Sequence, residues 1–501
     1  MVGEGLRPKL PIVESFAAEY LEYNGILPID QREGTLTVAV AGNPDPEVLR
    51  DLCDSYQATL QLVPVGRDTL LEAIRQAYAA SDSVVELVRD LTAEAGSSDS
   101  IDDDRLTDAR AQASQPPVIR FVNLLLREAH DASASDIHLE ATRDGLRVRL
   151  RVDGLLTDLP GPPRGLQAAV VSRLKLLAEL DIAERRAPQD GRIRVRLDAR
   201  ELDLRVSTVP TLYGESVVLR LLDRGGRPVT LEELGMGSVT LELFRLLASR
   251  PHGILLATGP TGSGKTTTLY AALGLRPGRE EKIITVEDPV EYHLPGVTQV
   301  PVQSKAGVSF ATALRSILRQ DPDVLMVGEM RDAETASIAV QAAMTGHLVL
   351  STLHTNDAVS ALTRLVDLKV EPYMVAATVE GVLAQRLVRR VCAECRERYR
   401  PDPSLIATVA GRPIAEHGGA FHFERGRGCA TCRHTGFKGR VGLFELLPMT
   451  DLLRQTLLTT LDLSRIRDLA REAGMRTLKE DGWAKVQAGI TTVEEVARVV
   501  S

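Results

Sequence analysis

The sequence predicts an α/β multidomain protein organised around a parallel-sheet core, and three observations carry that prediction. Residues 259–266 read Gly-Pro-Thr-Gly-Ser-Gly-Lys-Thr directly behind the apolar run Ile254-Leu255-Leu256-Ala257-Thr258. This is the strand, glycine loop and helix order of a phosphate-binding loop. From about residue 226 to 390, strand-like and helical segments alternate, as a parallel sheet requires. At 501 residues the chain is too long for one core, and roughly three to four domains are expected.

Composition narrows the function classes. Hydrophobic content of 44% and charged content of 26% are those of an ordinary water-soluble protein. Aromatic residues make up only 4%, with Trp483 the single tryptophan, and the net charge is −8. Base-stacking and phosphate-tracking surfaces need the opposite, so no nucleic-acid partner is expected. The chain has no run of 18 apolar residues and its first residues lack an apolar signal core. A cytoplasmic location is expected, with any membrane work done through partners.

The elements follow in chain order. Residues 1–80 read as a small α/β unit. A strand at 34–41 ends at Gly42-Asn43-Pro44, a helix follows at 47–56, a strand at 60–65 and a helix at 69–79. No chemistry shows here, and docking is the functional reading. Residues 81–115 gather Ser, Asp and Gly around Asp102-Asp103-Asp104 and read as a flexible acidic linker, with a short helix near 84–91. Residues 116–225 form a second α/β domain. A helix at 118–130 is followed by alternating strands at 136–140 and 146–152 with Asp153-Gly154 as the turn, a helix at 166–177, and further strands at 192–197, 201–207 and 217–222. This domain is rich in outward arginine. The core, 226–390, offers buried strands at 254–258, 283–286, 324–327 and 348–351. Residues 391–445 carry the cysteines, and 446–501 read as helical.

The chemistry concentrates on the core. Gly259, Pro260, Thr261, Gly262, Ser263, Gly264, Lys265 and Thr266 form the loop whose N–H groups and following helix N-terminus favour phosphate. Lys265 reaches the β- and γ-phosphates, and Thr266 offers a hydroxyl to Mg²⁺. Asp323 to Glu329 is an apolar strand that delivers Glu329 to the sheet edge, as a Mg²⁺ ligand or a water-orienting group. Ile283 to Tyr292 is a second acidic edge, carrying Glu287 and Asp288. Which acid serves as base is left open by the sequence. His347 and His354 bracket the next strand, and His354 is the stronger candidate for sensing the γ-phosphate. Arg315 and Arg319, at i and i+4, share a helix face and can neutralise phosphate. Cys392, Cys395, Cys429 and Cys432 form two C-x-x-C pairs, which in a cytosolic chain read as a tetrahedral zinc site, with a redox pair as the alternative. Cys53 reads as a small buried apolar residue.

These motifs together resemble the secretion-superfamily ATPases that drive type II secretion and type IV pilus assembly, the type II secretion branch most of all. The likeness is strong from 116 to 501 and weaker over 9–80. It rests on the loop 259–266, the acidic box 285–291, the segment 321–332, the histidine box 345–357, the four cysteines and Thr435-Gly436-Phe437-Lys438-Gly439-Arg440. The resemblance implies a hexameric motor with a RecA-like ATPase core, a PAS-like domain over 116–225, and ATP, Mg²⁺ and Zn²⁺ as ligands. It implies that Arg205, Arg220, Arg315 and Arg319 meet the nucleotide and that the four cysteines hold zinc. As partners it implies the cytoplasmic part of an inner-membrane secretion component on the front domain, an inner-membrane platform protein, and acidic phospholipid indirectly. The chain would then be peripheral at the inner membrane.

Overall fold

In a computed structural model, residues 18–32, 34–42, 44–56, 58–79, 84–95, 109–197, 200–222, 229–276, 280–410 and 423–500 are described. The chain divides into two units, residues 1–223 and 224–501.

The first unit opens with α1 (Ala18–Asn24), β1 (Ile26–Arg32), β2 (Thr35–Val40), α2 (Pro46–Tyr56), β3 (Thr59–Pro64) and α3 (Arg67–Ala79). β1 escapes the sequence reading because Pro28 and Asp30 interrupt its alternation; the register shifts between these two residues. β2 pairs antiparallel with β1 and parallel with β3. Leu36, Val38 and Val40 pack there with Leu52, Leu70 and Ile74. Cys53 is only half-buried on α2, not fully buried as expected.

Within the segment read as linker lies α4 (Val84–Ala95), whose Val84 and Leu87 are buried with Phe121 and Leu125 of the next domain. Apolar spacing on one helix face outweighs the acidic composition around it. The acidic centre at 102–104 lies outside the described residues. After α5 (Ala109–Ala113) and α6 (Pro116–Asp131) come β4 (Asp136–Thr142), β5 (Gly145–Val152), β6 (Leu155–Leu159), α7 (Gln167–Leu177), β7 (Gln189–Leu197), β8 (Arg200–Thr211) and β9 (Gly214–Leu222). The six strands form an antiparallel sheet in the order β6-β5-β4-β9-β8-β7. One face is apolar and covered by α6 and α7, so the arginines alternate to the other.

The second unit holds α8 (Ser238–Ala248), β10 (Gly253–Thr258), α9 (Lys265–Leu273), β11 (Ile283–Glu287), β12 (Val297–Pro301), α10 (Phe310–Ile317), β13 (Val324–Val327), α11 (Ala333–Met344), β14 (Leu348–Leu353), α12 (Val359–Asp367), α13 (Pro372–Thr378) and β15 (Val379–Val391). Then follow β16 (Arg396–Tyr399), α14 (Pro403–Ala410), β17 (Phe423–Gly426), β18 (Phe437–Pro448), α15 (Asp451–Thr459), α16 (Leu463–Glu472), α17 (Leu478–Gln487) and α18 (Val493–Val500). The core sheet runs β12-β11-β13-β14-β10-β15-β18, parallel except for β18. Its central strands are buried on both faces, which is why they read as unbroken apolar runs. β18 begins within the span read as the cysteine module and ends in the span read as helical, yet it is an edge strand of the core. The cysteine segment is an excursion between β15 and β18, whose ladder runs from Gly381↔Pro448 to Val391↔Phe437.

Candidate active site at the edge of the core sheet

β14 lies between β10, which leads into the phosphate loop, and β13, which leads to Glu329. Two strand spacings separate the loop strand from the acidic strand by roughly 9–10 Å. The residues after β14 span this distance, with His354 facing Glu329 and Thr355 N–H donating to Thr258 Oγ1.

Glycine is required in the loop at two positions. Gly259 has φ 149°, and a Cβ there would stand 2.4 Å from the Gln385 carbonyl oxygen. Gly264 has φ 87°, and a Cβ would stand 2.7 Å from Gln385 Nε2. Gln385 on β15 thus forms the floor of the loop, and its Oε1 accepts a 2.7 Å hydrogen bond from Thr268 Oγ1 on α9. The sequence reading missed it because β15 carries no motif; its signal was a buried glutamine in a buried strand. Ser263 Oγ is buried and, among the described residues, has no hydrogen-bond partner. A phosphate oxygen would satisfy it, so the loop fits a nucleotide.

Lys265 is buried, and its Nζ donates to the carbonyls of Gly259 at 2.7 Å and Pro260 at 3.1 Å. Burial draws its pKa from 10.5 down to about 8, and Arg386 adds to the fall while Glu329 opposes it. Phosphate beside the ammonium reverses this. ATP binding is therefore expected to take up close to one proton near pH 9 and almost none at pH 7, read by calorimetry in buffers of different ionisation heat. Measured without nucleotide, the same depression makes this group's contribution to stability rise with pH between about 8 and 10.5, because the unfolded chain binds more protons there.

Glu329 is nearly buried, and its carboxylate accepts Arg331 Nη2 at 2.5 Å and faces His354 Nε2 at 3.3 Å. His354 is half exposed. The loop behind it is pinned: Thr355 N–H donates to Thr258 Oγ1 at 2.8 Å, and the Asn356 carbonyl accepts Arg386 Nη2 at 2.8 Å. His347 is satisfied locally by the Ala342 carbonyl at 2.9 Å and Thr345 Oγ1 at 3.2 Å. Thr266 is the second residue of α9, immediately after Lys265.

Glu287 is buried in a different setting. Its carboxylate accepts the Tyr270 hydroxyl, Thr285 Oγ1 at 2.5 Å and Gln299 Nε2 at 3.2 Å. Burial and this bond push the Tyr270 phenol well above its usual range. Tyr270 is on α9, so Glu287 ties the helix behind the loop to β11. With its oxygens taken by protein donors, it is placed to brace the site. Arg315 pairs with Glu334 at 2.5 Å, and Arg319 donates to the Arg315 carbonyl at 3.0 Å.

In the first unit, Arg192, Arg205 and Arg220 stand abreast on β7, β8 and β9, and Arg220 is opposite Asp136. They line a hollow of about 520 Å³, and Arg220 Nε donates to Asp136 Oδ1 at 3.0 Å. Like charges side by side on a sheet are unfavourable without an anion.

The four cysteine sulfurs all lie within 4.8 Å of one another. Cys392–Cys429 is 3.9 Å, Cys395–Cys432 3.8 Å and Cys429–Cys432 3.7 Å. A tetrahedral Zn²⁺ with bonds of about 2.3 Å sets sulfurs roughly 3.8 Å apart, and a disulfide requires about 2 Å, so the donor set fits zinc. Against the upward push of burial, N–H groups of Cys429 and Gly436 point at the Cys432 sulfur and draw its thiol down, while burial pushes the neighbouring Cys395 thiol up; a bound cation would displace the protons of both.

The family model described as Type II/IV secretion system protein matches residues 111–498, and the MshEN domain model matches 4–84. The type II secretion system protein E of Xanthomonas campestris pv. campestris is 46% identical over 491 residues, 98% of this chain and 85% of that protein. The type IV pilus assembly ATPase PilB of Myxococcus xanthus is 39% identical over 489 residues, 97% of this chain and 86% of that protein. The pilus retraction motor PilT, solved with bound ADP, aligns with TM-score 0.52 and 25% identity over 75% of this chain and 96% of that one. A match of this extent, carried by a chain that sets a phosphate loop, an acidic strand end and a histidine box on one sheet edge, places the protein in the type II/IV secretion system protein family.

Proposed function

We propose that this chain is the ATP-hydrolysing motor of a type II secretion system, working as a hexamer that drives pseudopilus assembly and protein export from the inner face of the inner membrane. The observation that carries the reading is the convergence of Lys265, Glu329 and His354 at the edge formed by β10, β13 and β14, in a chain 46% identical to a type II secretion protein E over nearly its whole length. Loop N–H groups and Lys265 would hold the β- and γ-phosphates, and Thr266 and Glu329 would hold Mg²⁺, which would supply charge neutralisation. Glu329 orients water and receives its proton. His354 reports the γ-phosphate to Glu329. Glu287 acts through Tyr270 by positioning α9. Arg205, Arg220, Arg315 and Arg319 exchange their present partners for phosphate between subunits.

No helix among the described residues is long and apolar enough to cross a membrane. Membrane attachment then runs through the front domain, which takes the cytoplasmic part of an inner-membrane component. The test compares ATP turnover with single-stranded DNA against turnover with acidic vesicles plus that cytoplasmic part. Stimulation by the second supports the motor; stimulation by DNA alone overturns it. A type IV pilus assembly motor is the second reading, favoured by the likeness to PilB. Rescue of secretion or of piliation in a host lacking its own ATPase separates the two.

Zinc at the four cysteines holds the excursion between β15 and β18. Elemental analysis is expected to give about one zinc per chain, and Cys429→Ser to lose it along with protease resistance over 392–436. A metal-free, protease-resistant, fully active preparation would remove the structural zinc.

A further inference from the structure

Arg386 stands beside the phosphate loop, and the reaction set out above gives it no task. It follows Gln385 on β15, the strand next to β10. Its Nη1 lies where a side chain at Gly259 would meet it, at 3.1 Å from the position of a Cβ. The guanidinium donates to neutral oxygens: the Gln385 carbonyl at 3.1 Å, and the Asn356 carbonyl at 2.8 Å and Oδ1 at 3.4 Å.

Two acids face it through space, and both are engaged elsewhere. Glu445 accepts N–H groups of Ala358 at 2.9 Å and Leu478 at 3.4 Å. Asp357 accepts Arg467 at 3.1 Å and the Ser360 N–H at 2.7 Å. Among the described residues, no carboxylate pairs with Arg386. The group is half-buried, and burial lowers its pKa. A desolvated guanidinium without a counter-ion is costly, and an arriving anion relieves it. A cavity of about 780 Å³ opens at this point, bounded by Pro260, Asn356 and Arg386 on one side and by α16 and α17 on the other.

We propose that Arg386 is a catalytic residue that binds the γ-phosphate of ATP from within the same subunit. The proposal rests on the reading of this edge as an ATP-hydrolysing site. Arg386 lies beside the first residue of the loop and holds Asn356, two residues beyond His354, which in turn faces Glu329. On the proposed reading the acidic and histidine side of the loop takes the terminal phosphate, the group that ADP lacks. In hydrolysis a water oxygen bonds to the γ-phosphorus as the bond to the ADP oxygen breaks, and Glu329 takes the water proton. Charge then gathers on the γ-oxygens, where a planar guanidinium can hold two of them while keeping its bond to Asn356.

The experiment titrates ATPγS and ADP into the full-length chain and its R386A, R386Q and R386K variants, with turnover and melting temperature measured alongside. Arg386→Ala and Arg386→Gln are expected to weaken ATPγS about tenfold, leave ADP within about twofold, and cut kcat by about 100-fold, as for loss of one transition-state donor. Arg386→Lys restores affinity in part, because it keeps the charge without the fork. Equal losses for ATPγS and ADP with early melting, or unchanged kcat with normal binding of both, overturn the proposal. If R386A does not fold, R386Q and R386K decide by the same ratio. Wild-type chain that binds neither nucleotide defeats the reading of the site itself, which is a separate outcome.

Discussion

Glu329→Gln will leave ATP bound and unhydrolysed, with turnover reduced by about 100- to 10,000-fold, the range lost with a general base. The substitution keeps the shape of a nearly buried side chain and removes its charge. Arg331 binds one carboxylate oxygen at 2.5 Å and His354 Nε2 faces the other at 3.3 Å, so the amide oxygen can keep Arg331 while the amide N–H₂ donates to a neutral His354 ring nitrogen, and the site should stay assembled. Lost are the proton acceptor for water and one anionic ligand for Mg²⁺. Single-turnover measurement with radiolabelled ATP separates the steps: ATP stays on the protein and little phosphate appears. Failure to bind ATP would show instead that the acid assembles the site, and normal turnover would move the base elsewhere. Because Glu287 is held by Tyr270, Thr285 and Gln299, Glu287→Gln is expected to lower stability and ATP affinity together, a pattern distinct from trapped ATP.

Lys265→Ala will bring turnover to background, a loss beyond about 1,000-fold, and weaken ATP at least tenfold. Lys265 is a cation pulled out of water whose Nζ, among the described residues, donates to the carbonyls of Gly259 and Pro260. Burial lowers its pKa, so the charged form carries a desolvation cost that a bound phosphate would offset. The variant should therefore melt no earlier than the parent while losing nucleotide. A variant with normal turnover would withdraw the phosphate-loop assignment, and one that melts much earlier would make Lys265 a structural residue.

The loop and the four named core strands were legible because glycine spacing and unbroken apolar runs are local signals. The cysteine pairs were legible for the same reason: two C-x-x-C turns each preset half of a tetrahedron. β1 was not, since a proline and a register shift break its period. β18 was not, since its residues 437–445 read as part of the cysteine module and 446–448 as the start of the helical region, and only pairing with Gly381 to Val391 makes it core. Glu287 and Glu329 look alike in sequence, as acids closing apolar strands. Their neighbours differ: a tyrosine, a threonine and a glutamine around the first, an arginine and a histidine around the second.

The sequence by itself determined the chemistry available: a loop that turns inward only with glycine, a lysine and a threonine behind it, acids at strand ends, and four thiols at ligand spacing. Only the tertiary structure decided which of these meet. Strand order does this, because β14 enters between β10 and β13 and carries His354 to Glu329, a relation between residues far apart in the chain that no local period encodes. It also set Gln385 and Arg386 beneath and beside the loop through β15, where neither residue belongs to a motif.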